Sequence, residues 1–277
     1  MRADAMEHSI TKQEYDRIRT LLYDESGISL GESKQSLVVS RLTKRLRELQ
    51  LDNFTAYYNY VMQDGSGEEF TRMLDLLCTN KTDFFREPKH FDFLRERILP
   101  GLEREKRIRI WSSACSTGEE PYTIAMTLFE AVPNPTQWSF EILASDLSTR
   151  VLAHAASGLY TDDRVRAMPA AIVKRHFMRG RGDCAGLVKV KPHLAACIKF
   201  QRINLMDERF PICVPLDVVF CRNVMMYFDR SAQERLVNKL FHHLKPGGYL
   251  VIGHSDSLQW VSHPFKTAVP TIYRRDV

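Results

Sequence analysis

The stretch SSACSTGEE, Ser112 to Glu120, follows the apolar run RIRIW and leads into a helical pattern. A strand that opens into small polar residues and then a helix start is a ligand loop in parallel-sheet proteins. A pyrophosphate there needs several glycines for close backbone approach, and free N–H groups at the helix N-terminus. This loop has one glycine, Gly118, and its helix starts with two carboxylates. They suit the helix dipole, repel a phosphate and attract a cation. Asp146 ends the next apolar run, SFEILASD, where a carboxylate can take both ribose hydroxyls. A nucleoside with a cationic tail and no phosphate satisfies both observations, and S-adenosylmethionine is one. Plainer roles account for the same residues taken singly. Asp146 can cap the helix that starts near Ser148, and Glu is common in a first helical turn.

The elements that must position these residues are legible in the hydrophobic period. Residues 10–78 read as helices, from SITKQEYDRIRTLLYDESG, with its Ser/Thr cap and Gly27 stop, to EEFTRMLDLLCTN. KQSLVVSRLTKRLRELQL places Leu42, Leu46 and Leu49 on one stripe with Arg41, Lys44 and Arg45 beside it. HFDFLRERILPGLEREK, 90–106, reads as a helix interrupted at Pro100-Gly101. Strands then alternate with helices: RIRIW, SFEILASD, IKFQRIN, LDVVFCRN and YLVIGHS. That rhythm implies parallel pairing with helices on both faces. It breaks between Gly158 and Ile198, where a Gly-rich turn and LVKVK read as a small antiparallel hairpin. LKPGGYLVIG, a helix end, a Pro-Gly-Gly turn and a strand, recurs in Rossmann-like methyltransferases, although turn chemistry alone explains it.

The expected fold is therefore α/β: a Rossmann-like class I methyltransferase domain over 107–277 with a small antiparallel β-subdomain insert at about 160–198. An all-α domain, 1–80, precedes it, joined by a linker and connecting helix, 81–106.

Composition excludes several classes. Hydrophobic residues make up 44% and charged residues 26%, as in ordinary soluble domains. No apolar run reaches bilayer length, and MRADAMEHSITKQEY lacks the apolar centre of a signal peptide, so a cytoplasmic location without membrane insertion is expected. The six cysteines form no CxxC pair, and the nine histidines form no HxxxH or HExxH pattern. His242 and His243 project in different directions from a helix, so no metal is expected. The net charge is +5, yet residues 1–80 hold 10 Lys+Arg against 13 Asp+Glu. The basic balance is thus local and argues weakly for nucleic acid.

NKTDFFREPKHF (80–91), SSACSTGEEPYTIAM (112–126), ASDLS (144–148), INL (203–205), FCRNVMMYF (220–228) and LKPGGYLVIGHSDS (244–257) together resemble the chemotaxis receptor glutamate methyltransferases, the CheR family. The blocks occur in order and nearly end to end. The resemblance implies methyl transfer from S-adenosylmethionine, leaving S-adenosylhomocysteine, to glutamates on the cytoplasmic helices of chemoreceptors. It implies Asn80, Thr82 and Arg86 as cofactor contacts from the linker, Glu120 facing the cofactor amino group and Asp146 at the ribose. Asn204 and Leu205 correspond to the adenine side. Arg222, Asn223 and Tyr227 lie beside the reacting centre, with Arg86 and Tyr227 as the catalytic pair. MMYF stands where relatives often have MIYF, a change without chemical consequence. Read without the resemblance, Arg86 is a surface cation beside Glu87 and Tyr227 a packing residue.

Two absences separate methyltransferase classes. CRNVMMYF has no proline where enzymes acting on exocyclic base amines usually carry (N/D)PP(Y/F). Cys221 follows Phe220, not the proline of cytosine-C5 enzymes. An RNA methyltransferase and a non-catalytic cofactor-binding scaffold are the alternatives. For the partner, the resemblance suggests that the Lys34–Arg47 helix, with Arg41, Lys44 and Arg45, meets the acidic methylation helix. It also suggests that the insert, with Arg175 and Arg181, takes an acidic, aromatic C-terminal pentapeptide as an added strand. A solvated basic face is the plainer alternative for either cluster.

Overall fold

The computed structural model describes residues 9–78 and 81–276 and divides into two compact units. One comprises residues 1–80 with Tyr227–Asp229, the other residues 81–226 with 230–277.

The first unit is built from α1 (Lys12–Ser26), α2 (Gln35–Glu48), α3 (Phe54–Gln63) and α4 (Glu68–Leu77). Thr11 and Glu14 form a reciprocal capping box on α1, and Gly27 closes it at φ 71°. Residues spaced by three and four turn inward: Tyr15, Ile18 and Leu22 of α1, and Val38, Leu42 and Leu46 of α2. Leu49, expected on that stripe, caps α2 and is only half-buried. Each fully buried side chain contributes roughly 1.5–3 kcal/mol of transfer free energy. Glu14 also accepts from the Thr55 N–H at 2.9 Å, tying α1 to α3.

The second unit opens with α5 (Lys89–Phe93), which continues through a wider turn, Leu94–Ile98, into a 3₁₀ turn, Leu99–Leu102. Pro100 thus changes the pitch of a continuous segment without ending it at the expected point. Then follow β1 (Arg107–Ser112), α6 (Glu119–Ala131), β2 (Ser139–Asp146) and α7 (Thr149–Ser157). The insert holds β3 (Leu159–Thr161), α8 (Ala170–His176), β4 (Phe177–Arg179), β5 (Leu187–Val190) and α9 (Pro192–Ala195). The main domain resumes with β6 (Ile198–Arg202), β7 (Leu216–Cys221), α10 (Arg230–His243), β8 (Leu244–Ile252), β9 (Lys266–Val269) and β10 (Ile272–Arg274).

The main sheet has the order β6-β2-β1-β7-β8-β10-β9. Its first five strands pair in parallel, and β10 pairs antiparallel with both β8 and β9. Ile108 and Ile110 share a core with Tyr122, Ile124 and Leu128 of α6. Trp111, pointing to the opposite face, packs edge-on to Phe210 and near His243 of α10, so helices cover both faces. The expected antiparallel hairpin is present as β4 and β5, and Leu159–Thr161 extends it on the far side of β5 into a three-stranded sheet, β3-β5-β4. Pro246-Gly247-Gly248 likewise lies within β8, where the register to β7 shifts and Gly247 takes φ 82°, rather than before it.

Candidate functional site

Ser112, Asp146, Arg202 and Cys221 end four neighbouring parallel strands on one edge, with β1 between β2 and β7. Ligands bind beyond such carboxyl ends, and the central strand marks the switch in winding direction. The residues after these strands build the site.

The β1 loop is shaped by Ser116 at φ 48° and Gly118 at φ 97°. A Cβ on Gly118 would lie 2.8 Å from both Ala155 Cβ and the Tyr160 hydroxyl. The single glycine of this loop is therefore demanded by packing as well as by backbone angle. Tyr160 donates to the Thr117 carbonyl at 2.7 Å and seals the turn.

Asp146 is fixed by backbone donors on both oxygens: the Ser116 N–H at 2.9 Å and the Ser148 N–H at 3.1 Å. The helix-capping role that competed for Asp146 belongs to Ser148, whose hydroxyl accepts from Val151 N–H. Asp146 thereby links the β1 loop to the start of α7 and stays half-buried at the strand end.

The acidic pair is not bare, as its sequence suggested. Glu119, 1% exposed, accepts from Arg164 at 2.5 Å and from the Thr117 hydroxyl at 2.6 Å. Glu120 accepts from the Ser112 hydroxyl at 2.7 Å and from Arg222 at 2.9 Å. Each carboxylate has its own arginine, so the two do not repel at full strength. Arg164 also donates to the Thr82 carbonyl and lies 3.2 Å from Asp83, which fastens the linker to the loop.

Arg222 is the centre of the second half of the site. Its side chain is 2% exposed and contacts Glu120, the Arg86 carbonyl at 2.5 Å and Glu87 at 3.1 Å. The guanidinium lies over the Phe91 ring, 5.5 Å from its centroid. Burial would raise the Glu87 carboxyl, but Arg222 and Asn223 outweigh it and hold the group below its ordinary range. Burial and the Arg222 charge push the His90 imidazole down to about 4. Glu87 and Phe85 reach these positions through left-handed backbone, at φ 59° and 55°. Such conformations cost a non-glycine residue roughly 1–2 kcal/mol each.

Asn223, also left-handed at φ 56°, donates its N–H to Asp256 at 2.6 Å, and its side-chain amide lies 3.3 Å from Glu87. Asp256 further accepts from Gly253 N–H at 3.0 Å and Met226 N–H at 3.3 Å, clamping the ends of β7 and β8 together. Burial raises its carboxyl despite these donors. A Cβ on Gly253 would meet the Asn223 amide nitrogen at 2.3 Å.

Of the other expected site residues, Asn204 closes its own turn, its Oδ1 accepting from Met206 N–H at 3.0 Å. Ile203 N–H donates to the Asp146 carbonyl, which brings Asn204 and buried Leu205 beside the Asp146 strand end. Arg86 is one-third exposed, donates to the Lys81 carbonyl at 2.7 Å and stands 3.9 Å from Glu87. Asn80 lies outside the described residues. Tyr227 belongs to the unit of the N-terminal helices, where its carbonyl accepts from Ser29 N–H. The Arg86 carbonyl, Glu120, Arg222 and Asn223 are thus joined with Glu87 in one network, Thr82 is held by Arg164 beside Glu119, and Asp146, Asn204 and Leu205 lie on the adjoining strand ends.

Glu87, Arg164 and Asp256 were not singled out from the sequence, and Glu119 was singled out only as one of the two carboxylates that open α6. A weak signal existed for Glu87, which sits inside the quoted block NKTDFFREPKHF. Arg164 lies in the insert, 45 residues from Glu119, and gave none.

The partner-binding candidates divide. Arg45 makes a bidentate pair with buried Glu69, at 3.0 and 2.5 Å, and Arg41 donates to the Leu76 and Cys78 carbonyls. These two hold α2 against α4 and its end, whereas Lys44 is exposed. Arg175 is engaged with Glu130 of α6, while Arg181 is exposed in the β4–β5 turn.

Two family descriptions match the chain: "CheR methyltransferase, all-alpha domain" over residues 13–78 and "CheR methyltransferase, SAM binding domain" over residues 80–273. Among similar proteins, chemotaxis protein methyltransferase 2 of Pseudomonas aeruginosa is 40% identical, covering 96% of this chain and 94% of that one. The chemotaxis protein methyltransferase of Borreliella burgdorferi is 38% identical, covering 97% and 96%. That of Escherichia coli is 37% identical, covering 96% and 91%.

Proposed function

The chain belongs to the CheR methyltransferase family, whose S-adenosylmethionine-binding domain spans its residues 80–273, and from that membership we propose that it methylates side-chain carboxylates of glutamates on the cytoplasmic helices of chemoreceptors. The observation that carries the cofactor side is Asp146. A carboxylate locked by two backbone N–H groups at the end of β2 is preorganised to receive a pair of ribose hydroxyls. The carboxylates at the start of α6 disfavour a phosphate there. Glu120 receives the cationic amino group, sharing its charge with Arg222, and Asn204 and Leu205 border the base.

S-adenosylmethionine would supply a sulfonium-activated methyl group; its transfer to a carboxylate oxygen would form the O–CH3 bond of an ester, break the S–CH3 bond and release S-adenosylhomocysteine. The glutamate is already ionised at neutral pH, its unperturbed pKa being about 4.3, so it needs no general base. Two opposite charges vanish in the step, so excluding water favours it. The protein's task is to bring a carboxylate in, hold it in line and tolerate its charge until transfer. Arg86, with one flank in solvent and only a distant carboxylate partner, serves as the electrostatic partner. The Tyr227 hydroxyl orients the entering oxygen.

Cys221 is buried and its thiol is pushed up to about 12 by burial. A thiolate nucleophile of the cytosine-C5 type is therefore disfavoured at this strand end. Supporting the receptor reading further, Lys44 on α2 and Arg181 in the insert are exposed cations suited to acidic receptor segments. Strands β3 and β4 are both edges of the three-stranded sheet, open to an added peptide strand.

The test is incubation with methyl-labelled S-adenosylmethionine and either receptor-containing membranes or RNA. Base-labile label on the receptor is expected, since carboxyl methyl esters hydrolyse readily in base. Label in RNA, or no transfer by protein that binds the cofactor, overturns the assignment.

A further inference from the structure

We propose that Glu87, His90 and His254 form a binding site for a transition-metal ion of the zinc class, with one carboxylate, two imidazoles and an open fourth position. Potential ligand atoms of the three residues all lie within 4.8 Å of one another. The decisive feature is the orientation of His90, which is 2% exposed. Its Nε2 stands 2.8 Å from the Thr271 hydroxyl oxygen. That hydroxyl spends its own hydrogen on the Pro270 carbonyl, at 2.6 Å. Thr271 must then accept, and His90 carries its proton on Nε2.

Nδ1 is left as a lone pair, buried and without a hydrogen-bond partner. It faces Glu87 Oε2 at 3.5 Å, too far for a shared proton. The Nδ1 lone pair, buried against a carboxylate oxygen, has lost its water and gained no bond, and the two acceptors repel. A cation between them removes the conflict. Zinc–nitrogen and zinc–oxygen bonds of roughly 2.0–2.2 Å at a tetrahedral angle put the two ligand atoms about 3.4 Å apart. The observed separation needs almost no adjustment. Thr271 fills the outer position typical of metal-bound histidine, taking the second ring N–H and fixing the tautomer.

His254, exposed, brings the third ligand, its ring centroid 5.3 Å from that of His90. Two imidazoles and one carboxylate select zinc, cobalt, nickel or copper over magnesium or calcium. Arg222 and the His254 N–H already contact the same Glu87 oxygen, at 3.1 and 3.2 Å. The metal therefore competes with the guanidinium, and occupancy weakens the Arg222–Glu87 pair. The ligands span 87, 90 and 254, so no compact spacing motif announces them.

The experiment is titration of the chelator-stripped full-length protein with Co2+, read by its visible spectrum. One equivalent with the intense bands of four-coordinate cobalt, bleached by Zn2+, is expected. His254→Ala removes an exposed ligand, keeps the fold by circular dichroism and should weaken binding at least ten-fold. His242→Ala, an exposed histidine outside the cluster, should leave binding unchanged. Wild type without the cobalt spectrum overturns the site. So does equal binding by His254→Ala, which assigns the ion to other histidines or thiols.

Discussion

Asp146 and Tyr227 carry the two residue-scale tests, one for the cofactor and one for the reaction. Asp146→Ala removes a carboxylate while the Ser116 and Ser148 N–H groups that oriented it remain. Loss of charge-assisted hydrogen bonds to a ribose costs roughly 1.5–3 kcal/mol, about ten- to a hundred-fold in affinity. The loss should be equal for S-adenosylmethionine and S-adenosylhomocysteine, because they share the ribose. Calorimetry with both ligands decides it, and unchanged affinity in a folded variant removes Asp146 from the cofactor site. Tyr227→Phe deletes one hydroxyl and little volume. Turnover should fall at least ten-fold with cofactor affinity kept, and wild-type turnover would make Tyr227 a packing residue. Asp146 was legible in the sequence because a strand end is a position that spacing alone defines. The partners of Glu119 and Glu120 were not legible, because Arg164 and Arg222 lie 45 and 102 residues away.

At the scale of elements, the insert shows how a basic segment separates into structural and free charges. Arg179 pairs with Asp162 at 2.6 Å and Arg175 with Glu130, so neither offers an uncommitted cation. Arg181 sits in a turn whose Gly180 has no room for a side chain: its Cβ would lie 2.0 Å from the Cys184 carbonyl oxygen. Beside the turn, Lys189 on the middle strand is flanked across the sheet by Leu159 and Met178, about 40% and 43% exposed. A cation between two exposed apolar side chains suits a peptide that is both acidic and aromatic. Arg181→Glu should weaken binding of the receptor's C-terminal peptide several-fold at low salt, less at high salt, with cofactor affinity unchanged. Arg175→Glu is the poorer probe, since it also sets two carboxylates against each other at α6. Titration of the isolated peptide is the measurement. No wild-type binding at low salt would leave the basic insert as a solvated face.

For the molecule as a whole, acid sensitivity follows from histidines buried in the second unit. His176, 1% exposed, joins α8 to α6 through Glu130 at 2.7 Å and meets His193 at 3.0 Å. Burial, with Arg175 and Lys191 nearby, holds its pKa below 6.5 against the pull of Glu130. His193 shifts the same way through burial and His176. The folded state therefore binds fewer protons than the unfolded chain below pH 6.5. This contribution to stability is present above that pH and is lost as pH falls. Glu130, held below the ordinary carboxylate range by Arg175 and His176 despite burial, adds acid loss at lower pH. Denaturant melts should show stability falling from about pH 6.5 downward, by less than about 1.4 kcal/mol per pH unit for each histidine. His176→Asn should flatten that slope, and a slope identical to wild type would exclude His176 as a source.

The sequence by itself determined the layered α/β class, the helical unit before it and the strand ends where chemistry gathers. Those follow from period, caps and turn residues, which are local properties of the chain. Only the tertiary structure decided that β3 completes a third strand of the insert, and that β9 and β10 extend the main sheet antiparallel. It alone joined Glu87 and Glu120 through buried Arg222 and set the lone pair of His90 against a carboxylate. Pairings of this kind join residues as far as 167 positions apart between Glu87 and His254 and 181 between His90 and Thr271. Their strength comes from shared desolvation, and that exists only once the strands have brought the residues together.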